Sequence, residues 1–95
     1  MNLLISNDHY KVMQVILKAG DQMPNHYATS DAFIMVAKGS AKLMVNGDAI
    51  AMIAGGHYSL PAMQAHSLQI EEDFEACVVL AAGGDIQFPA LGPGL

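Results

Sequence analysis

Several residue types that often mark a functional class are scarce or missing from this chain of 95 residues. It has no arginine, no tryptophan and a single cysteine, Cys77. Because bidentate capture of phosphates and carboxylates relies on the guanidinium fork of arginine, sugar phosphates and dicarboxylates are poor candidates for a substrate. A lone cysteine excludes an internal disulfide. Its position in the apolar run 76–82 predicts a small buried side chain and not a reactive thiol.

Positive charge is scarce as well. Four lysines stand against nine acidic residues, which gives a formal net charge of −5. Nucleic acids are bound by lysines and arginines that neutralise phosphates, so this balance argues against a nucleic-acid partner. The N-terminus offers only the apolar run 3–5, too short for a signal-peptide core or a membrane span. We therefore expect a cytoplasmic protein without a membrane partner.

Apolar residues, in contrast, make up 53% of the sequence. This content predicts a folded core, and the length fits a single domain, 1–95. A domain this small buries a modest fraction of its surface, so it often depends on a metal or a partner subunit for stability. The runs 12–17 and 76–82 are apolar on both faces, which predicts a barrel wall packed against a second copy in a homodimer.

Short apolar segments between regular turns predict an all-β fold. Gly39, Gly47 and Gly55 are eight residues apart, and the segments between them have the length of strands. Asn46 and Gly47 supply the two positive-φ residues of a type I′ hairpin turn. The expected strands are 10–18, 33–37, 42–45, 49–53, 58–60, 66–70, 74–81 and a short edge strand at 86–88. Turns are expected at 38–40 and 71–73, and a loose tail at 89–95.

The glycines and histidines resemble the two sequence motifs of the cupins. These motifs have the forms G-x5-H-x-H-x3,4-E-x6-G and G-x5-P-x-G-x2-H-x3-N. The residues that match them in order are Gly20, His26, Gly39, Gly55, Pro61 and His66. The resemblance covers about residues 10–82. It implies a small double-stranded β-helix, the cupin-type jelly-roll barrel.

Departures from the motifs remove half of the expected metal ligands. Metal-binding cupins usually hold their ion through three histidines and the glutamate of the first motif, and only His26 and His66 remain here. The replaced positions hold Ala28 for a histidine, Ala32 (or Phe33 under the longer spacing) for the glutamate, Met63 for a glycine and Ile70 for an asparagine. A catalytic metal site generally needs about three protein ligands, so the two histidines alone fall short.

Neighbouring polar residues are candidates for the missing ligands of a divalent Fe, Mn, Ni, Cu or Zn ion. They are His57, Gln64, Tyr58 and Asp31. Side chains alternate across a strand, which predicts that Asp31 points away from the glutamate position and that His57 faces outward.

Three functions stay open at this point. The preferred one is small-molecule binding in an apolar barrel pocket, with His26 and His66 at its mouth and Tyr58, Gln64 and Met63 as further pocket residues. The second is a metal-dependent dioxygenase or isomerase that uses the two histidines as ligands. The third is a structural or regulatory dimer module without catalysis. The two histidines are also consistent with simpler roles, as buried hydrogen-bonded side chains or as a general base without metal.

Overall fold

The computed structural model describes residues 1–89, and these residues form eight β-strands and no helix. The strands are β1 (Asn2–Ser6), β2 (Tyr10–Leu17), β3 (Gln22–Ala28), β4 (Ala32–Val45), β5 (Asp48–Ile53), β6 (His57–Leu60), β7 (His66–Ala81) and β8 (Ile86–Gln87). The all-β prediction is confirmed, with β1 and β3 as strands that the sequence did not indicate. A search of this part of the chain finds no helix able to span a membrane. Of the predicted loose tail, all but Pro89 lies outside the described residues.

Every pair of neighbouring strands in the sheet is antiparallel. β7 pairs with β2, β3 and β4, while β1 borders β2 and β8 borders β3. β5 and β6 pair with opposite halves of β4. The sheet curls into a jelly-roll half-barrel, as predicted. Asn46 and Gly47, between β4 and β5, both have positive φ, which confirms the predicted hairpin turn.

β4 and β7 set the curvature of the sheet. With 14 and 16 residues they would each extend about 45–55 Å if straight, whereas the longest dimension of the molecule is 38 Å. Both strands therefore bend, and the register between them shifts in the segment 36–41 of β4. The predicted turns at 38–40 and 71–73 are wrong, because both segments lie inside these long strands at the bend. Glycine and a run of acidic residues mark a β-bulge here and not a chain reversal.

Gly39 allows the two long strands to approach each other at the bend. Its φ is +80°, and a Cβ at this position would overlap the carbonyl oxygen of Asp73 on β7. The backbone N–H of Ala19 donates a 2.9 Å hydrogen bond to the Asp73 carboxylate, which lowers the pKa of that carboxyl group. This contact ties the β2–β3 turn to the bend.

Alternate residues of the curled strands face a common apolar interior. On β7 the even-numbered residues from His66 to Ile70 and from Phe74 to Leu80 are buried. The odd-numbered residues of its second half face outward. Cys77 is one of them and is half-buried there, whereas the sequence predicted a small buried side chain. The buried residues are apolar with two exceptions, both histidines.

We predict that Gly39→Ala lowers the free energy of unfolding by about 2–4 kcal/mol, because the new methyl group meets the β7 backbone and the residue must keep a positive φ. Urea denaturation measures the loss. Gly47→Ala is the matched control, since Gly47 has the same φ of +80° and open space where its Cβ would lie. It should cost about 1 kcal/mol. Equal losses in the two variants would contradict the role of the close contact.

Candidate functional site

The two buried histidines are direct cross-strand partners. His26 on β3 pairs with His66 on β7, so their side chains lie on the same face of the sheet. They are 4% and 6% exposed. Their ring centroids are 4.2 Å apart with an interplanar angle of 65°. The structure therefore brings the two predicted site histidines into contact, and we call them the histidine pair.

A β-bulge in β3 directs His26 into the barrel. Met23 faces inward, and in a regular strand a residue three positions later would face outward. The register between β3 and β7 shifts between Met23 and His26, so one extra residue restores the inward direction. Pro24 lies in this irregular segment, where its missing N–H costs no ladder hydrogen bond.

Backbone carbonyl groups fix the tautomers of the histidine pair. His26 Nδ1 lies 2.7 Å from the carbonyl oxygen of Pro24, and His66 Nδ1 lies 3.0 Å from that of Gln64. A carbonyl oxygen only accepts, so in each neutral ring Nδ1 carries the proton and Nε2 keeps its lone pair. In residues 1–89 every fully buried side-chain nitrogen or oxygen has a hydrogen-bond partner. The hydrogen bonds of the two rings involve Nδ1, so each Nε2 keeps some accessible surface.

Burial keeps the histidine pair uncharged near neutral pH. Desolvation lowers the pKa of His26, and the neighbouring His66 lowers it further, against an opposing effect of the Pro24 carbonyl. Desolvation likewise lowers the pKa of His66, opposed by the carbonyl of Gln64. Two protonated imidazoles at this separation would also repel each other. The site consequently offers two unprotonated Nε2 atoms at pH 7.

The histidine pair lines a cavity in the barrel interior, the barrel cavity, with a volume of about 30 Å³. Its other described lining residues are all apolar: Met1, Val15, Met23, Ala28, Ala32, Ile34, Met52, Leu60, Leu68, Phe74, Ala76, Val78 and Ile86. A water molecule needs roughly 10–15 Å³ by a comparable measure, so the cavity has room for one or two waters or a small ion.

The segment around β8 covers the histidine pair from outside. The Phe88 ring lies 5.2 Å from the ring of His26, and Phe88 is 47% exposed. β8 has two residues and is held to β3 by two residue pairs. Asp85 and Thr29 exchange backbone and side-chain hydrogen bonds just before it. So short a strand can detach at low cost.

Three residues predicted for the pocket lie outside the described lining of the cavity. Tyr58 packs against the core, but its hydroxyl donates to the carbonyl of Ala51, 3.1 Å away. Gln64 contributes the backbone carbonyl that binds His66. Met63 is 61% exposed with a φ of 68°, and its N–H donates to the carbonyl of Ala28.

The candidate extra metal ligands also point elsewhere. His57 is exposed on the outer face and stacks on Phe33 with centroids 5.9 Å apart, which confirms the parity argument. The Asp31 carboxylate is exposed and accepts a hydrogen bond from the backbone of Ala62. No group of three histidine, cysteine, aspartate or glutamate side chains within residues 1–89 could hold a metal ion.

The sequence did not single out Met23 and Phe88 as residues of the site. Met23 and Met52 are buried and line the barrel cavity, and Phe88 covers His26. Met23 lies in a strand that the sequence did not indicate, and the contact of Phe88 with His26 depends on the pairing of β8 with β3. Ala28 and Ala32, at the motif positions of a metal ligand, do line the cavity. The cavity therefore lies where the motif has its metal ligands, but the two alanines supply no donor atoms.

Comparison with known proteins shows likeness in structure and not in sequence. No protein-family model and no curated protein matches the chain. A cupin from Desulfovibrio desulfuricans, described as RmlC-like, matches with a TM-score of 0.75 and 21% identity, over 85% of this chain and 79% of that one. A protein from Shewanella frigidimarina that contains a cupin-2 domain matches with a TM-score of 0.70 and 19% identity, over 82% and 74%.

A larger protein contains the same fold. A salicylate 1,2-dioxygenase from Pseudoaminobacter salicylatoxidans matches with a TM-score of 0.76 and 17% identity, and 84% of this chain covers 25% of that chain. Likeness at such identity shows the fold alone. The chain thus has the cupin fold, as the motifs predicted, and its chemistry must be argued from its own residues.

We predict that the free energy of unfolding falls as the pH is lowered from about 7 to about 5. Both histidines have folded pKa values below the ordinary 6.5, so the unfolded chain binds protons that the folded chain does not. The stability that the two uncharged histidines contribute is fully present above pH 6.5 and is lost as the pH falls through their lowered pKa values. Urea denaturation across this range measures it.

A His66→Gln variant should show a weaker dependence on pH, because one of the two buried imidazoles is gone. His57→Gln is the matched control at an exposed position and should keep the wild-type dependence. A wild-type stability that stays constant or rises as the pH falls would overturn the prediction.

Proposed function

We propose that this chain is a small-molecule-binding domain of the cupin fold, in which the histidine pair holds the polar group of the ligand. The observation that carries the proposal is a pair of uncharged, in-contact histidines that line an otherwise apolar cavity. An apolar pocket with few, placed polar groups is the common design of a ligand site. The cytoplasmic location expected from the sequence stays a prediction.

The polar atoms define the ligand that the site would accept. Each Nε2 is a hydrogen-bond acceptor, because Nδ1 donates to a backbone carbonyl. The described lining holds no lysine and the sequence holds no arginine, so an anion would find no side-chain counter-charge. The expected ligand therefore has an apolar body and an uncharged donor group such as a hydroxyl.

The size of the barrel cavity requires an opening step for any organic ligand. An apolar cavity of about 150 Å³ binds benzene, whereas this one measures about 30 Å³. Phe88 is the residue whose displacement would add space directly beside His26, and it sits next to a two-residue strand. We infer that the ligand enters through the space beside His26 that opens when Phe88 is displaced.

The alternative of a divalent metal enzyme is less well supported. The positions that would supply a third and fourth ligand hold Ala28 and Ala32, whose side chains line the cavity without donor atoms. Two neutral histidines are short of the three protein ligands of a catalytic site. The donor set does not fit the divalent ion that the resemblance implies, and we derive no reaction through it.

The outer face of the sheet supports the homodimer. Apolar side chains on three adjacent strands, β2, β7 and β4, form the outer patch: Val12, Ile16, Phe33, Met35, Cys77 and Val79. Phe33, Met35 and Ile16 are 40%, 53% and 57% exposed. Exposed apolar surface around one polar contact, here the hydrogen bond from Gln14 to Glu75, is typical of an interaction site, and a second copy would bury the same patch on both chains. A module acting only through such a dimer is the remaining alternative.

We predict that phenol binds the Phe88→Ala variant and perturbs the imidazole NMR signals of His26 and His66. Phenol is uncharged at about pH 7, fills the space of the removed ring and donates to an Nε2 atom. Benzoate, of similar size, should bind at least about tenfold more weakly, because it is an anion without a donor.

Gln87→Ala is the control for general loosening of β8, since Gln87 is exposed beside Phe88. It should not improve phenol binding. Tighter binding of benzoate than of phenol, or phenol-induced shifts confined to other residues, would contradict the proposed site.

We predict that the wild-type chain is a dimer at micromolar concentration and that the double variant Phe33→Lys, Met35→Lys is a monomer. Two ammonium groups would be buried without partners at the dimer contact. Size-exclusion chromatography with light scattering measures the mass. Ile53→Lys is the matched control, because Ile53 is 59% exposed on β5, outside the outer patch, and this variant should remain a dimer. A monomeric wild-type chain would rule out the dimer.

A further inference from the structure

The barrel cavity contains an unusual set of donor atoms. Besides the two imidazoles it is lined by three thioethers, those of Met1, Met23 and Met52. Within residues 1–89 the side chains of its lining include no carboxylate, thiol, hydroxyl or ammonium group. All side-chain donors are therefore neutral, and the sulfur donors are soft.

Neutral, soft donors select a particular class of metal ion. Thioether ligands favour Cu(I), and imidazole is a good ligand for copper in general. Mg²⁺, Ca²⁺ and Mn²⁺ prefer oxygen ligands, which are missing here. A four-coordinate Zn²⁺ site needs more donors than two imidazoles supply. The ligand set thus points away from the divalent ions and toward a soft monovalent one.

Electrostatics lead to the same class of ion. The cost of moving an ion from water into an apolar interior rises with the square of its charge, so a divalent ion pays about four times as much as a monovalent one. A carboxylate would repay part of that cost, but Ala32 occupies the position where the motif has its glutamate. A single positive charge is the most that this interior can accept without a counter-charge.

The two rings of the histidine pair are close enough to bind one ion together. Each ring is anchored to the barrel wall through Nδ1, and Nε2 is on the other side of the ring. A metal–nitrogen bond of about 2 Å places the ion about 3.2 Å from a ring centroid, so two rings with centroids 4.2 Å apart can reach one ion, and they need to separate by about 1 Å to give the wide nitrogen–metal–nitrogen angle of a three-coordinate site. Met23 pairs with Leu68, two residues from His66 on the inward face, so it is the methionine that the register places beside the pair.

We propose that the barrel cavity is a binding site for Cu(I), held by Nε2 of His26 and Nε2 of His66 with the thioether of Met23 as a third donor. The site goes beyond the proposed small-molecule function and uses the same Nε2 atoms, so metal and organic ligand exclude each other. The two proposals fail separately, because one is tested by Cu(I) and the other by phenol.

The test measures binding of Cu(I) under anaerobic conditions by competition with a chromogenic Cu(I) chelator, in a Cys77→Ser background that removes the thiol on the outer face. We expect one equivalent per chain. His26→Gln and His66→Gln should each weaken binding by about 100-fold and Met23→Leu by about tenfold. His57→Gln and Met44→Leu change a histidine and a methionine that do not line the cavity, and each should alter affinity less than about twofold.

A second measurement on the chain without histidine substitutions covers the case in which those variants fail to fold. Ag(I), a redox-inert monovalent probe, should shift the Nε2 signals of His26 and His66 in NMR spectra of the Cys77→Ser protein and leave their Nδ1 atoms protonated. Zn²⁺ at the same concentration should not. Unchanged Nε2 signals with Ag(I), Zn²⁺ binding at least as tight as Cu(I), or equal losses in the control variants would overturn the proposal.

Discussion

The antiparallel pairing of β4 with β7 is the constraint on which the rest of the structure depends. Because each strand is longer than the molecule, pairing along both lengths is possible only if the two bend together. Gly39 permits this bend, since a side chain there would enter the β7 backbone. The bend turns the alternating inward faces of both strands toward one interior. It also leaves β2 and β3 one after the other along the edge of β7 that lies opposite β4, so that His26 reaches His66 while the outer face stays available for a partner.

The backbone also decides the chemistry of the histidine pair. The irregular segment of β3 and the turn before β7 each leave a carbonyl group two residues before a histidine, and both carbonyls accept a hydrogen bond from Nδ1–H. Neither imidazole therefore needs the glutamate of the motif to orient it, because a backbone carbonyl group is a usual partner for the second ring nitrogen of a metal-binding histidine. Removal of that carboxylate would destabilise a charged site but is compatible with a neutral one. The fold can thus keep two oriented imidazoles after the acidic ligand of the motif is gone.

The sequence predicted the fold better than it predicted the site. The Asn46–Gly47 hairpin, the motif glycines and the strand alternation that turned His57 outward depend on local rules, and the structure confirms them. The bend at 38–40 and 71–73 was misread as two turns, because glycine and acidic clusters mark bulges and turns alike. The contact of His26 with His66 depends on a one-residue register shift, and the covering ring of Phe88 depends on long-range pairing of β8. The motif spacing assigns both histidines to one site but indicates neither the register shift nor the position of the Phe88 ring.

The described lining of the barrel cavity holds no acidic group, and this absence affects both the pKa values of the histidines and the charge of the ligand that the site accepts. A carboxylate near the histidine pair would raise the pKa values of both rings, neutralise part of a divalent charge and favour cationic ligands. With Ala28 and Ala32 in the lining, desolvation dominates instead and lowers both pKa values. The Nε2 lone pairs are then free at neutral pH, and no negative charge competes with them. An occupant must accept these lone pairs without bringing more than one positive charge, which leaves an uncharged hydrogen-bond donor or a soft monovalent ion.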